Sequence, residues 1–244
     1  MKYPPSFFRS GLPEWKRRKD PFLSKIIYRP LSFYASSIFC EIGWSANTVT
    51  IFSMFVAIAV FFLFLMKQPI AAAVLMNVWL LLDCADGNIA RCVKREQYGD
   101  FVDGISGYIC SSLAFVGIGY CVYWTGGIIV SGGNPEIILL GALAGTSEAL
   151  SRLVYQRFLN TSYEQGQAAN KTYNPEEASG LNKIRMKVDQ AIAIGGVLPF
   201  AVFVCAIINA LDLIVLVYSV YFALTFLAAT VYFVRKTIVA NKSA

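Results

Sequence analysis

The chain has 244 residues, of which 57% are hydrophobic, and 21 basic against 15 acidic side chains give it a formal net charge of +6. The apolar share of a soluble domain is nearer to about 45–50%, so the composition excludes an ordinary soluble fold and favours one polytopic membrane domain. Basic excess also suits nucleic-acid binding, but the lysines and arginines lie at the ends of apolar runs, which favours the membrane explanation.

Residues 1–45 are expected to form a cytoplasmic or interfacial segment. They combine prolines with a basic cluster at 16–19 and lack the pattern of a cleaved signal peptide. From about Glu14 to Phe39 the basic cluster passes into an amphipathic stretch. This stretch predicts a helix that lies on an anionic membrane surface, with a solvated basic tail as the alternative.

Six apolar runs follow, each of the roughly 20–25 residues that are needed to cross about 30 Å of hydrocarbon. They are placed near 46–66, 69–93, 100–125, 135–158, 187–209 and 211–234. A long polar loop separates the fourth run from the fifth. The sequence therefore predicts an all-α integral membrane protein with six transmembrane helices, and residues 46–244 as one transmembrane domain.

The basic residues are distributed unevenly between alternate connections. Twenty of the 21 lie in the N-terminal segment, around the connection between the second and third runs, around the connection between the fourth and fifth runs, or in the C-terminus, when the adjoining ends of the runs are included. Only Lys67 lies on the opposite side. Because connections rich in lysine and arginine stay in the cytoplasm, both termini and the turn after the second run are predicted to face the cytoplasm.

The second and third runs carry a cluster of charged residues. Asp83 and Asp86 lie in the second run, and Arg91 follows them. Asp100 and Asp103 lie at the start of the third run. Each acidic pair has helical i, i+3 spacing, so both carboxylates project from one face. Since an acid at the bilayer centre costs roughly 2.5–3.5 kcal/mol on insertion scales, a functional site is the preferred interpretation.

Two facing acidic pairs are typical of a site for hard divalent cations. Oxygen-only ligands favour Mg²⁺, Mn²⁺ or Ca²⁺ over zinc or copper. The chain has no histidine, and its six cysteines show no CxxC spacing. The small side chains of Gly87 and Ala90 would let a planar or phosphorylated ligand approach the backbone, and the planar guanidinium of Arg91 suits phosphate oxygens.

The same stretch resembles the signature of the CDP-alcohol phosphotransferases, which are membrane enzymes. That signature reads D-x2-D-G-x2-A-R and, a short distance further, G-x3-D-x3-D. The matching positions in this chain are Asp83, Asp86, Gly87, Ala90, Arg91, Gly99 and Asp103. The last position differs, because Gly107 stands where the family has a fourth aspartate.

The resemblance implies a reaction and a role for each matching residue. A member transfers the phospho-alcohol group of a CDP-alcohol to an acceptor hydroxyl, releases CMP and uses Mg²⁺ or Mn²⁺, expected here as two ions. Asp103 is also the candidate catalytic carboxylate. A homodimer is implied as well, because dimers are common in the family. The implied metal ligands are Asp83, Asp86 and Asp103, and the implied nucleotide and phosphate contacts are Gly87, Ala90 and Arg91.

Four further residues are candidates with open alternatives. Asn47 and Thr50 resemble the N-x-x-T start of the family's first membrane helix and would contact the substrate, although ordinary helix capping is equally open. Asp100 is a candidate metal ligand on spacing alone, and an interfacial position beside basic residues is equally open. Arg185 resembles the basic group that binds the acceptor's phosphate in related enzymes, and flanking charge explains it about as well.

Gly107 removes the carboxylate that resembles the family's general base, a group that commonly contributes about 10²–10⁴-fold. Glu148 is the candidate substitute, because it lies in the fourth run near the expected depth of Asp83. Arg152 stands at i+4 from Glu148, so a plain intrahelical ion pair is the competing explanation.

Other outcomes of this substitution are also open. The acceptor's own phosphate or a bound water could take the proton, or the chain could have lost catalysis. The first hypothesis is therefore a CDP-alcohol phosphotransferase, and the alternative is an impaired member that binds metal and CDP-linked ligand as a sensor or scaffold. A secondary transporter is disfavoured, because its acids would be spread over several broken helices.

Overall fold

The computed structural model describes residues 2–164, 192 and 195–243. This part of the chain consists of helices and turns and contains no β-strand. A π-helical turn, Ser24–Tyr28, leads directly into the third helix. The helices are α1 (Pro5–Gly11), α2 (Glu14–Lys19), α3 (Arg29–Glu41), α4 (Ala46–Leu65), α5 (Pro69–Cys92), α6 (Gly99–Thr125), α7 (Glu136–Glu164), α8 (Leu198–Ile207) and α9 (Leu211–Ser243).

Five of these helices, α4 to α7 and α9, are long and apolar enough to cross a membrane. Each begins within one residue of its predicted start, while α7 and α9 continue past their predicted ends. Within the predicted fifth run, the described residues contain the 10-residue helix α8 and one further helical residue, Ile192. Residues 187–191, 193 and 194 lie outside the described part, so the sixth span stays a prediction.

The long helices pack as a bundle. Helix α6 packs against α4 and α7, α7 packs against α9, and α5 packs against α4, α3 and α8. Trp79 of α5 is buried and donates its indole N–H to Ser106 Oγ of α6 at 3.1 Å. Ser106 in turn hydrogen-bonds Ser53 of α4 at 2.7 Å. Such interhelical hydrogen bonds supplement the packing that holds helices together in lipid.

Helices α6 and α7 approach closely at two glycines of α7. A Cβ added at Gly141 would collide with the backbone oxygen of Phe115, and one at Gly145 would lie 2.5 Å from that of Ser112. Backbone atoms cannot rotate away as a side chain can. Small residues spaced by four therefore let the two helix backbones meet, as is usual in membrane bundles.

Gly145→Ala is expected to lower the free energy of unfolding by about 1–3 kcal/mol, because the added methyl forces α7 away from α6. Thermal unfolding in detergent measures the change. Gly104→Ala is the matched control, since a Cβ at Gly104 meets nothing within 4 Å. An equal loss of stability in both variants would contradict the close-packing explanation.

The N-terminal helices join α5 through a buried polar network. Arg29, which is 6% exposed, donates from Nε to Asp20 Oδ2 at 2.6 Å and from Nη2 to Asp20 Oδ1 at 3.0 Å. Its Nη1 donates to Asn88 Oδ1 of α5 at 3.1 Å. Asn88 Nδ2 donates to Ser32 Oγ of α3 at 2.9 Å. The network fixes α2 and α3 against the helix that carries the signature.

The opposite face of the N-terminal segment is apolar. Phe22, Ile26, Leu31 and Tyr34 are each more than half exposed. The predicted amphipathic helix over 14–39 is broken into α2, the π-helical turn and α3. An exposed apolar face beside a basic cluster still suits a segment that lies in the membrane interface.

The stability that this network contributes to the fold depends on pH through the pKa of Asp20. Burial would raise this pKa, but the hydrogen bonds and charge of Arg29, together with Lys16, outweigh burial and hold the pKa below its usual value of 3.8. A carboxylate with a lowered folded pKa stabilises the fold above its unfolded pKa. That contribution is lost as the pH falls through the folded pKa.

Asp20→Asn is expected to destabilise the fold by about 3–5 kcal/mol near pH 7, because it leaves the Arg29 guanidinium buried without a counter-ion. The difference from the wild type should shrink as the pH falls below 3.8 and Asp20 becomes protonated. Unfolding midpoints recorded across this pH range test both statements. Glu14→Gln is the control, because Glu14 is exposed and forms a surface ion pair with Arg18. A wild-type midpoint for Asp20→Asn at pH 7 would refute the expectation.

Candidate active site

A cavity of about 570 Å³ lies where the start of α4, the end of α5 and the start of α6 meet α2 and α3. It brings together nine of the site residues predicted from the sequence, and these lie up to 56 positions apart in the chain. These residues are Asn47, Thr50, Asp83, Asp86, Gly87, Ala90, Arg91, Asp100 and Asp103. The two acidic pairs and the signature arginine therefore share one cavity.

Three carboxylates form the polar centre of the cavity. The carboxyl groups of Asp83 of α5 and Asp103 of α6 lie close enough to interact with each other. Asp86, one turn after Asp83 on α5, is 5% exposed and accepts a hydrogen bond from Thr50 Oγ1 of α4 at 2.6 Å. Three helices thus contribute to one acidic centre, and α4 orients its most buried carboxylate.

Asn47 holds the turn between α5 and α6. Its backbone N–H donates to the carboxylate of Glu96 at 2.7 Å. Its side-chain oxygen would lie 3.3 Å from a Cβ at Gly99, so the turn passes close to Asn47. The capping residue of α4 is instead Ser45, whose hydroxyl accepts from the N–H of Thr48 at 3.2 Å. Capping therefore does not account for Asn47.

Arg91 lies over the signature glycine. A Cβ at Gly87 would be 2.9 Å from Nη2 and 3.0 Å from Nη1 of Arg91. Nη2 also donates to Asn88 Oδ1 at 3.3 Å, the same oxygen that Arg29 contacts. The absent side chain at Gly87 leaves the guanidinium room inside the cavity, where it can meet an anionic ligand.

Asp100 lines the cavity from its exposed rim. Its carboxylate accepts from Arg95 Nη2 at 2.5 Å, and both side chains are largely exposed. Exposed ion pairs of this kind contribute only about 0–1 kcal/mol. The contact corresponds to the interfacial alternative for Asp100, and its role as a metal ligand stays a prediction.

Gly107 faces α7. A Cβ at Gly107 would lie 3.3 Å from Nη1 of Arg152. Arg152 is ion-paired with Glu148, whose other oxygen accepts from Ser111 Oγ at 2.8 Å. Glu148 is 6% exposed and is not among the described residues that line the cavity. The ion pair suggested by the i+4 spacing is therefore formed, and the proposed base would first have to leave it.

Several residues of the cavity were not identified from the sequence. Trp15, Lys16 and Arg29 line it from the N-terminal segment, and Glu96 lines it from the turn after α5. The basic cluster at 16–19 is the sequence feature that could indicate these residues, but its pattern favours a membrane-surface segment. Arg185, the candidate for the acceptor's phosphate, lies outside the described residues.

The carboxylates suit a hard divalent cation in their chemistry. Asp83, Asp86 and Asp103 offer only oxygen donors, and a cation would relieve the repulsion between charges brought this close. Among the described residues, no group of three or more acidic or cysteine side chains stands close enough together to hold a metal ion. An ion bound by one or two of these carboxylates would take its other ligands from water or from phosphate oxygens.

The apolar helices and the acid-lined cavity define a multi-pass membrane protein with a site for a charged ligand. A family model described as CDP-alcohol phosphatidyltransferase matches residues 44–170, just over half of the chain, and includes the whole signature. The chain belongs to the CDP-alcohol phosphatidyltransferase family. Members transfer phospho-alcohol groups in lipid biosynthesis and generally use divalent metals. No individual curated protein matches the chain.

Gly87→Ala is expected to weaken binding of CMP about tenfold, because the new methyl displaces the guanidinium of Arg91 and costs one charge-assisted hydrogen bond. Stability should change little, since the atoms that must move are the end of a flexible side chain. Calorimetric titration with CMP measures the affinity, and Gly104→Ala controls for an added methyl on a neighbouring helix. Wild-type affinity in Gly87→Ala would contradict the role given to Arg91.

Proposed function

We propose that this chain transfers the phospho-alcohol group of a CDP-alcohol to an acceptor hydroxyl at the cytoplasmic side of a membrane and releases CMP. The observation that carries the proposal is the single cavity shared by Asp83, Asp86, Asp103, Thr50 and Arg91. Family membership supports the class of reaction. The donor alcohol and the acceptor are left open.

The reaction exchanges one phosphorus–oxygen bond for another. The acceptor oxygen bonds to the phosphorus that carries the alcohol, and the bond from that phosphorus to the bridging oxygen breaks. CMP leaves with the electron pair, and the acceptor hydroxyl gives up its proton. Asp83, Asp86 and Asp103 would hold Mg²⁺ or Mn²⁺, expected as two ions, and the ions would supply positive charge to the diphosphate and the leaving group.

The remaining residues bind and orient in this scheme. Arg91 contacts a phosphate of the donor, and its position over Gly87 supports that role. Thr50 holds the carboxylate of Asp86 in place through its hydroxyl. Ala90 and Gly87 are small residues, and they leave space in the cavity for the nucleotide. Asn47 acts indirectly by holding the turn that precedes α6.

Gly107 has no carboxylate, so another group must accept the proton of the acceptor hydroxyl. Glu148 would have to give up its pair with Arg152 and its contact with Ser111 before it could act as base. The acceptor's own phosphate or a bound water needs no such rearrangement. We therefore assign the proton to one of these, with Asp103 at the reacting centre and Glu148 as the alternative.

The cytoplasmic orientation rests on charge distribution. The cavity lies at the same ends of α4, α5 and α6 as the basic N-terminal segment and the basic turn after α5. The turn between α4 and α5, at the other end, contains one basic residue, Lys67. Because lysine and arginine favour the cytoplasmic side, the donor would reach the cavity without crossing the membrane.

A second candidate function is favoured by Gly107 alone. A chain that lacks the fourth aspartate could bind metal and CDP-linked ligand and act as a sensor or scaffold. An aspartate placed at 107 would also meet the guanidinium of Arg152 directly. We also propose a homodimer, because dimers are common in the family. Neither candidate function depends on it.

CMP release by the purified protein is expected to depend on Mg²⁺ or Mn²⁺ and to fall by about 10²-fold or more in Asp86→Asn, because a buried charged ligand is lost. The assay uses a panel of CDP-alcohols and acceptors. Glu136→Gln, which removes an exposed carboxylate at the start of α7, is the charge-matched control. Full turnover in Asp86→Asn would rule out the assigned site.

Gly107→Asp is a second arm of the same assay. We expect it to leave the wild-type turnover unchanged or reduced, because the new carboxylate pairs with Arg152. Tight binding of CDP-alcohol without turnover in the wild type, with turnover only in Gly107→Asp, would instead establish the binding function.

A further inference from the structure

We propose that helix α2 is part of the donor site, with Lys16 binding the diphosphate of the donor and Trp15 packing against its cytidine. This inference rests on the proposed function and deepens it. Both residues precede residue 44, where the match to the family begins. The sequence signature therefore does not include them.

Lys16 stands between a buried carboxylate and the acidic centre. Its Nζ lies 3.2 Å from Asp20 Oδ1, and its side chain is 29% exposed. It lines the cavity, and its charge is close enough to act on Asp83 and Asp103. An ammonium group on a flexible four-carbon chain can turn towards a phosphate without movement of the helix.

The contacts of the basic residues in the cavity indicate which of them can bind the diphosphate. Four basic residues are described as lining it: Lys16, Arg29, Arg91 and Arg95. Arg29 uses its Nε and Nη2 on Asp20 and its Nη1 on Asn88, so its fork is committed to the fold. Arg95 is paired with Asp100 at the rim. Lys16 and Arg91 are thus the two cations best placed to meet a diphosphate.

The carboxylate of Asp20 keeps its hydrogen bonds when Lys16 turns away from it. Both of its carboxylate oxygens accept hydrogen bonds from Arg29. Departure of Lys16 towards a ligand would therefore leave no buried charge unpaired. The same Arg29 is anchored to Asn88 of α5, so α2 is fixed beside the signature rather than attached only to the membrane.

Trp15 offers a surface for the nucleobase. It neighbours Lys16 on α2, lines the same cavity and is 57% exposed, which places its ring at the rim. Stacking of a base on an aromatic ring needs a flat apolar surface and no particular hydrogen-bond pattern. With Lys16 on the phosphates, a cytidine attached to them would reach this rim.

The test is calorimetric titration of the full chain in detergent with CMP and CDP, in the presence of Mg²⁺. Lys16→Gln is expected to weaken CDP about tenfold, because it removes one charged contact. Lys16→Arg should restore most of the affinity. Arg18→Gln is the matched control, since it makes the same charge change on the same helix at an exposed pair with Glu14.

Trp15→Ala is expected to weaken both CMP and CDP about tenfold, while Trp15→Phe retains most of the affinity. The salt dependence of CDP binding should be shallower in Lys16→Gln than in the wild type, because one screened contact is missing. A purely structural role for Lys16 would not change that slope. The unfolding midpoint of Trp15→Ala should equal that of the wild type, and the midpoint of Lys16→Gln should fall by much less than that of Asp20→Asn, because Arg29 still binds both oxygens of Asp20.

Wild-type affinity in both Lys16→Gln and Trp15→Ala would overturn the inference and leave the proposed function standing. An equal loss in Lys16→Gln and Arg18→Gln would also overturn it, because the effect would then be general surface charge. A wild-type protein that binds neither nucleotide and releases no CMP would remove the proposed function and this inference together.

Discussion

Three carboxylates at one end of an apolar helical bundle are the constraint on which the rest of the structure depends. Asp83, Asp86 and Asp103 cannot be placed there without compensation, since charge in a membrane must be paired, hydrated or bound to a cation. The chain meets this need by opening a cavity at the helix ends. It then surrounds the acids with a hydroxyl from α4 and with cations from α2, α3 and α5.

The N-terminal segment links the membrane surface to the site. Its exposed apolar face suits the interface, while its buried face carries Asp20 and Arg29 onto Asn88. Asn88 accepts from both Arg29 and Arg91, so one amide oxygen joins the anchor of the segment to the signature arginine. Any displacement of α2 and α3 is therefore transmitted to the residue that contacts the donor in the proposed reaction.

Local periodicity and short motifs predicted the parts of this site that are close in sequence. The i, i+3 spacing placed Asp83 and Asp86 on one face, and the i+4 spacing of Glu148 and Arg152 produced the ion pair that it permits. Lys16 and Arg29 escaped prediction because tertiary packing, which no spacing encodes, brings them to α5. The close approach of Gly107 to Arg152 has the same origin, since it depends on how α6 meets α7.

The missing fourth aspartate changes the charge balance of the proposed site. Glu148 and Arg152 neutralise each other beside Gly107, so neither adds net charge to the acidic centre. In the proposed reaction, two divalent ions would be held by three carboxylates, which would leave an excess of positive charge. A fourth carboxylate would cancel that excess. The proposed site would therefore attract an anionic donor more strongly through charge alone, while it would give the acceptor hydroxyl less help in losing a proton. Among the acceptors that the proposal leaves open, one that carries its own phosphate would offset both effects, because it would bring negative charge and a proton acceptor to the same place.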